Sequence, residues 1–298
     1  MKKVPGIQTL SLLVVIAVSL CMAACGTPDV DEPGNRLAVT ILPQRQMLQR
    51  LAGDRFDVDV LIPPGFNPAT YSPAPDQIRR LSRTRIWFRI GRLPFELNWT
   101  SRIASAHPAL TIVDTSAGTD WIVPERKGAG GGAGVDPHIW LSPRLAKIQA
   151  RHMTEALIRL DPENRETYQS RCKSLEEDIA DLDANIRSIL RDPASRRFLV
   201  FHPSWGYFAR DYGLFQVAIE KEGKGPAPAS LAGTVALARR EGLRVVFVQH
   251  QFDTTAAEVV AREIGGRVEK LDPLAEDWFT NLEETAKIIG NALREQSP

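Results

Sequence analysis

The chain has 298 residues, 43% hydrophobic and 24% charged, with a formal net charge of +1. That is ordinary globular composition, long enough for one large domain or two smaller ones. So balanced a charge offers no broad basic surface, which excludes nucleic acid as an expected partner.

Lys2 and Lys3 open the chain, followed by the apolar stretch 10–20, broken only by Ser11 and Ser19, and by MAAC at residues 22–25. A charged start, an apolar middle and a small-residue end predict an export signal over residues 1–24. The apolar stretch falls short of the roughly 18 residues that a membrane span needs. Ala23 and Ala24 before Cys25 resemble a bacterial lipobox, whose cysteine is lipidated and becomes the mature N-terminus. Met22 stands where leucine is usual, and plain signal cleavage is the alternative. Cys21 is the poorer candidate, since the large Leu20 precedes it. Processing at Cys25 removes two lysines and no acid, which takes the formal charge from +1 to −1. Cys172 is then the one free thiol, so no internal disulfide is expected, and a chain of this size relies on its core instead. Residues 25–35 read as a flexible tether between lipid and fold.

Beyond the tether, short apolar runs at 37–42, 58–62, 85–90 and 111–114 predict strands, with helical patterns between them such as 76–82. This alternation predicts an α/β lobe with a largely parallel sheet over residues 36–141. The glycine-rich segment GAGGGAG at 128–134 is a loop; no strand runs into it and no helix follows at once, so it is not a phosphate cradle. Residues 142–192 predict a helical connector. Ser142-Pro143 is an N-cap signal, and Asp161-Pro162 repeats it. Tyr168, Cys172, Leu175, Ile179, Leu182 and Ile186 recur at steps of four and three, one buried stripe on a long helix. Cys172 lies in that stripe and reads as a core residue. From residue 193 to 298 the alternation resumes as a second α/β lobe. Strands are expected at 198–201, 215–218, 245–248 and 267–271, and helices at 229–241, 255–264 and 278–293, with Thr255 and Glu258 as a capping box.

Two lobes make a cleft, and in parallel α/β sheets ligands gather beyond the carboxyl ends of strands. His202 follows the strand FLVF, His250 nearly follows VVFVQ, Asp272 follows RVEKL, and His138 lies in VDPHIWLSP. Histidines with a carboxylate at such positions suit Zn²⁺ or Mn²⁺. His107, beside Pro108 at a helix end, and His152, inside a helix, read as surface or core residues.

Four separated segments carry a resemblance: DPHIWLSP (136–143), FHPSWGYFARDYGL (201–214), IEKEGKGPAPASL (219–231) and EIGGRVEKLDPL (263–274). In order and spacing they resemble the zinc/manganese-binding proteins of bacterial ABC importers, the ZnuA/TroA-like cluster A-I of periplasmic solute-binding lipoproteins. The resemblance covers essentially the whole mature chain. It implies two α/β lobes joined by one long rigid helix, a metal ion captured between them, and delivery to a membrane permease with its ATPase. It implies no enzyme, a lipid-anchored monomer in the cell envelope, and zinc, alternatively manganese, as cargo. Position by position it implies His138, His202 and Asp272 as metal ligands. The family's further histidine lies in a loop reading like PGxNPHTYEPTP. Here that loop is PPGFNPATYSPAP, with Ala69 at the histidine's place and Ser72 where an acid is usual. Water, His250 as the fourth ligand, or Glu220 are the candidates to complete the coordination. The histidine- and acid-rich loop of many zinc-specific members is missing too, its place taken by PERKGAGGGAG. A member diverged toward a metal chelate or toward adhesion is one alternative; a zinc hydrolase with an open coordination position is another, though no HExxH motif is present.

Overall fold

The computed structural model describes residues 34–123, 134–220, 228–252 and 254–295. The export signal, Cys25, almost all of the tether and most of the glycine loop lie outside the described residues.

Two four-stranded parallel sheets form the frame. The first contains β1 (Arg36–Val39), β2 (Asp57–Val60), β3 (Thr84–Arg89) and β4 (Thr111–Asp114) in the order β2-β1-β3-β4. The second contains β5 (Arg197–Val200), β6 (Phe215–Ala218), β7 (Val245–Val248) and β8 (Arg267–Lys270) in the order β6-β5-β7-β8. The same strand order thus occurs twice.

Helices connect the strands: α1 (Leu42–Ala52), α2 (Pro75–Arg80) and α3 (Pro94–Ala106) with the first sheet, α6 (Gly206–Asp211), α7 (Pro228–Arg240) and α8 (Thr255–Glu263) with the second. Between the sheets lie α4 (Pro143–Leu160) and α5 (Arg165–Ile189), and α9 (Trp278–Glu295) closes the chain. Among the described residues no helix is long and apolar enough to cross a membrane.

The central strands are buried on both faces, as parallel strands covered by helices must be. Side chains alternate along a strand, so one run feeds two cores. Phe198 and Val200, with Val245 and Phe247, join the large core that continues through the first sheet. Leu199, Phe201, Val246 and Val248 join a smaller core with Val260 of α8.

At 25 residues α5 is about 38 Å long. Its buried face is Tyr168, Cys172, Leu175, Ile179, Leu182 and Ile186, the stripe the spacing predicts. It packs on α1, α4 and α9. Arg171 donates to the last carbonyls of α1, Leu51 at 3.2 Å and Ala52 at 2.8 Å. Gly53 follows at φ +64°, and a Cβ there would lie 2.5 Å from the Arg171 guanidinium, so only glycine admits this cap. Near its other end Arg187 donates to the Asp211 carbonyl at 3.1 Å. The helix is therefore fastened to structure from both sheets.

Some element ends differ from the sequence expectation. The first strand stops at Val39 rather than running to Leu42, because the Gln44 side chain accepts from the Thr40 amide at 3.1 Å and starts α1. Ser142 does cap α4, its Oγ accepting from the Leu145 amide at 3.1 Å. Asp161-Pro162 starts a short 3-10 turn instead of the long helix, and Asp161 receives Asn164 and Tyr168. For α8 the residue at the cap is Thr254, whose hydroxyl donates to Glu258 at 2.9 Å, not Thr255.

Candidate metal centre

The carboxyl edge of the second sheet sets out a row of polar side chains. The register that pairs Val200 with Ala218 brings the next residues of β5 and β6 along in step, with Ile219 and Glu220 amides bonded to Val200 and Phe201 carbonyls at 2.9 Å each. Two residues past each strand, His202 and Glu220 therefore stand side by side, and His202 Nδ1 lies 3.0 Å from Glu220 Oε2. The turn after β7 contributes Gln251 and Phe252, and β8 delivers Asp272. Phe252 stacks on the His202 ring with centroids 4.6 Å apart at 21°.

His138 arrives from the segment that enters α4. Its Nδ1 lies 2.7 Å from Asp136 Oδ1, which also accepts the His138 amide at 2.9 Å. Asp136 is held in turn: the Tyr207 hydroxyl donates to its carbonyl at 2.8 Å, and its own amide donates to Ile122 at 2.9 Å. A Cβ on Gly206 would lie 2.5 Å from Asp136 Oδ2, so glycine at the start of α6 makes room for this carboxylate.

The two imidazoles thus meet, with ring centroids 5.3 Å apart at 74°. Each is backed at Nδ1 by a carboxylate, which fixes the tautomer and leaves Nε2 with its lone pair for a metal. Burial holds His202 below the ordinary histidine range; the Glu220 hydrogen bond opposes this and nearby His138 adds to it. A neutral ring is the form that binds metal.

Asp272 lines a cavity of about 110 Å³, walled also by Ile62, Pro63, Pro64, Gly65 and Gln251. Its Oδ1 accepts the Leu274 amide at 2.9 Å. Trp140, two residues past His138, donates from Nε1 to the Pro273 carbonyl at 2.6 Å, and Trp278 donates to the Trp140 carbonyl at 2.7 Å. These buried bonds tie the segment bearing His138 to the segment bearing Asp272. Among the described residues, no three His, Cys, Asp or Glu side chains form a group that could hold an ion as placed. The imidazole pair is assembled, and Asp272 belongs to the adjoining cavity.

The other candidates divide clearly. Ala69 is exposed, its amide donating to Asn67 Oδ1 at 2.8 Å within the proline-rich loop. His250 is exposed in the turn after β7, and the residues that follow it face the site. Glu220 is only 3% exposed and is engaged on the Nδ1 side of His202, opposite Nε2. His107 and His152 bond to backbone carbonyls, those of Ile78 at 2.8 Å and Ala117 at 2.9 Å, and serve structure. Sequence reasoning assigned no part to Asp136 and Gln251. Asp136 stands in the same DPH motif as His138, two residues before it, a spacing at which an aspartate can accept both the amide and the ring N–H.

Comparison with known proteins places the chain in a family. The family model for the periplasmic zinc-uptake complex component A, ZnuA, matches residues 37–292. The high-affinity zinc uptake system protein ZnuA of Bacillus subtilis is 28% identical over 284 residues, covering 88% of each chain. A putative metal-binding protein of Chlamydia trachomatis is 31% identical over 288 residues, 94% of this chain and 99% of its own length. A crystal structure of ZnuA superposes with a TM-score of 0.83 at 38% identity, covering 89% of this chain and 100% of that one. The chain belongs to the ZnuA family of periplasmic zinc-uptake components.

Proposed function

We propose that the protein is the extracytoplasmic metal-binding component of an ABC importer. It captures Zn²⁺, alternatively Mn²⁺, in the cleft and delivers it to a membrane permease with its ATPase. His138 and His202 hold the ion through Nε2, and Asp272 adds a carboxylate. The pair of imidazoles, each braced from behind by a carboxylate, is the observation that carries this function. Nitrogen donors favour zinc, and the oxygen of Asp272 keeps manganese within reach. The protein acts as a monomer held to the envelope by lipid on Cys25, with residues 36–141 and 193–298 as lobes around the connector 142–192. The named relatives are zinc-uptake or metal-binding proteins, which supports capture rather than catalysis.

Calorimetric titration of the mature protein with Zn²⁺ and Mn²⁺ tests this. One ion binds per chain, micromolar or tighter, and His138→Ala or His202→Ala each weaken binding at least a hundredfold, about 2.7 kcal/mol. Affinity no better than about millimolar removes the function. Normal affinity in both variants removes the site.

A further inference from the structure

Gln251 is half-buried and has no role in the site as described so far. Its Oε1 is shielded from solvent and has no hydrogen-bond partner among the described residues, while its Nε2 lies 3.5 Å from Asp272 Oδ1. That distance is the outer limit of a hydrogen bond, so the amide is aimed by Asp272 and weakly held by it. A buried acceptor left unpaired is costly, and one that persists calls for a cause, of which a bound ion is one. Gln251 lines the same cavity as Asp272, against Pro63, Pro64 and Gly65 of the loop in which Ala69 presents only a methyl group. Its turn is anchored on the site, because Phe252 stacks on His202. Asp272 Oδ1 takes the Leu274 amide as well as facing Gln251 Nε2, so neither Asp272 Oδ2 nor Gln251 Oε1 is used in those contacts.

We propose that Gln251 is a ligand of the captured ion, its amide oxygen acting with Asp272 as the donor that Ala69 cannot be. The proposal rests on the metal-capture function above. A neutral amide oxygen is a hard donor that suits Mn²⁺ better than Zn²⁺. In place of an imidazole it relaxes the preference for zinc.

The test is calorimetry on the full mature protein with MnCl₂ and ZnCl₂, comparing wild type, Gln251→Leu, Gln251→Glu and His138→Ala. Gln251→Leu weakens Mn²⁺ at least tenfold and Zn²⁺ by less. Gln251→Glu sets a second carboxylate against Asp272, so it lowers the melting temperature of the ion-free protein yet tightens Mn²⁺. A packing residue does not produce those opposite shifts. If Gln251→Glu fails to tighten Mn²⁺, or a folded Gln251→Leu binds it within twofold of wild type, while His138→Ala loses the ion, this proposal alone falls. If His138→Ala also binds normally, the capture function falls with it. Should Gln251→Leu not fold, Gln251→Glu decides.

Discussion

His138 and His202 are competent donors because of what stands behind them. Without Asp136 and Glu220 each ring is free to turn and to place its proton on Nε2. Asp136→Asn and Glu220→Gln are therefore expected to weaken zinc binding by about 10–100-fold while leaving both imidazoles in place, as titration calorimetry will show. Ala69→His is expected to tighten zinc at least tenfold, since its loop is already fixed by internal bonds such as Asn67 to the Ala69 amide; an unchanged affinity favours the chelate alternative. Candidate ligands were legible because histidines next to strand ends are visible in one dimension. The braces were less so. Glu220 reaches His202 through the register of β5 on β6, and Gln251 reaches Asp272 across β7 and β8. Neither register is written in local sequence.

The strands and long helices were legible from apolar runs and from the steps of α5, which depend on periodicity alone. The short α6 and the start of α1 were not, since six residues, or a glutamine side chain taking the Thr40 and Ile41 amides just past β1, leave no periodic trace. The same kind of capping shapes α3. There Glu96, fully buried, accepts from the Thr40 hydroxyl at 2.5 Å, the Ile90 amide at 2.7 Å and the Gly91 amide at 2.6 Å. Burial pushes its carboxyl up to about 7 against the pull of those donors. With the folded value above the unfolded one, the stability it contributes is complete below about 4.5 and drains as pH rises through 7. Relative to Glu96→Ala, wild type is expected to lose about 2 kcal/mol between pH 5 and 8 in urea melts, while the variant is flat over this contribution. Trp140→Phe deletes the bond to Pro273. It is expected to cost about 1–2 kcal/mol by urea melts and to weaken zinc several-fold by calorimetry, because the His138 and Asp272 segments are no longer tied.

The two sheets meet through specific bonds besides the shared core. Arg45 of α1 pairs with Glu276, Gln46 donates to Asp277 at 3.1 Å, and the Trp278 amide donates to Gln46 at 2.8 Å. These lie on the stretch that leads from Asp272 into α9, so the segment bearing Asp272 continues directly into the strap that joins the halves. Zinc at a hundred times the wild-type Kd is expected to add about 2.7 kcal/mol to unfolding in denaturant melts of wild type and no more than about 0.4 kcal/mol in His202→Ala. The two α/β lobes were legible as alternation in two blocks, whereas the strand order repeated in each sheet and the strap were not, the strap because its partners are more than 200 residues apart in sequence. The most direct test of where the ion sits is anomalous scattering at the zinc edge from crystals of the zinc-loaded mature protein. One strong peak is expected within bonding distance of Nε2 of both His138 and His202, with Asp272 turned toward it. A peak away from that imidazole pair, or on Nδ1 of either ring, contradicts this placement.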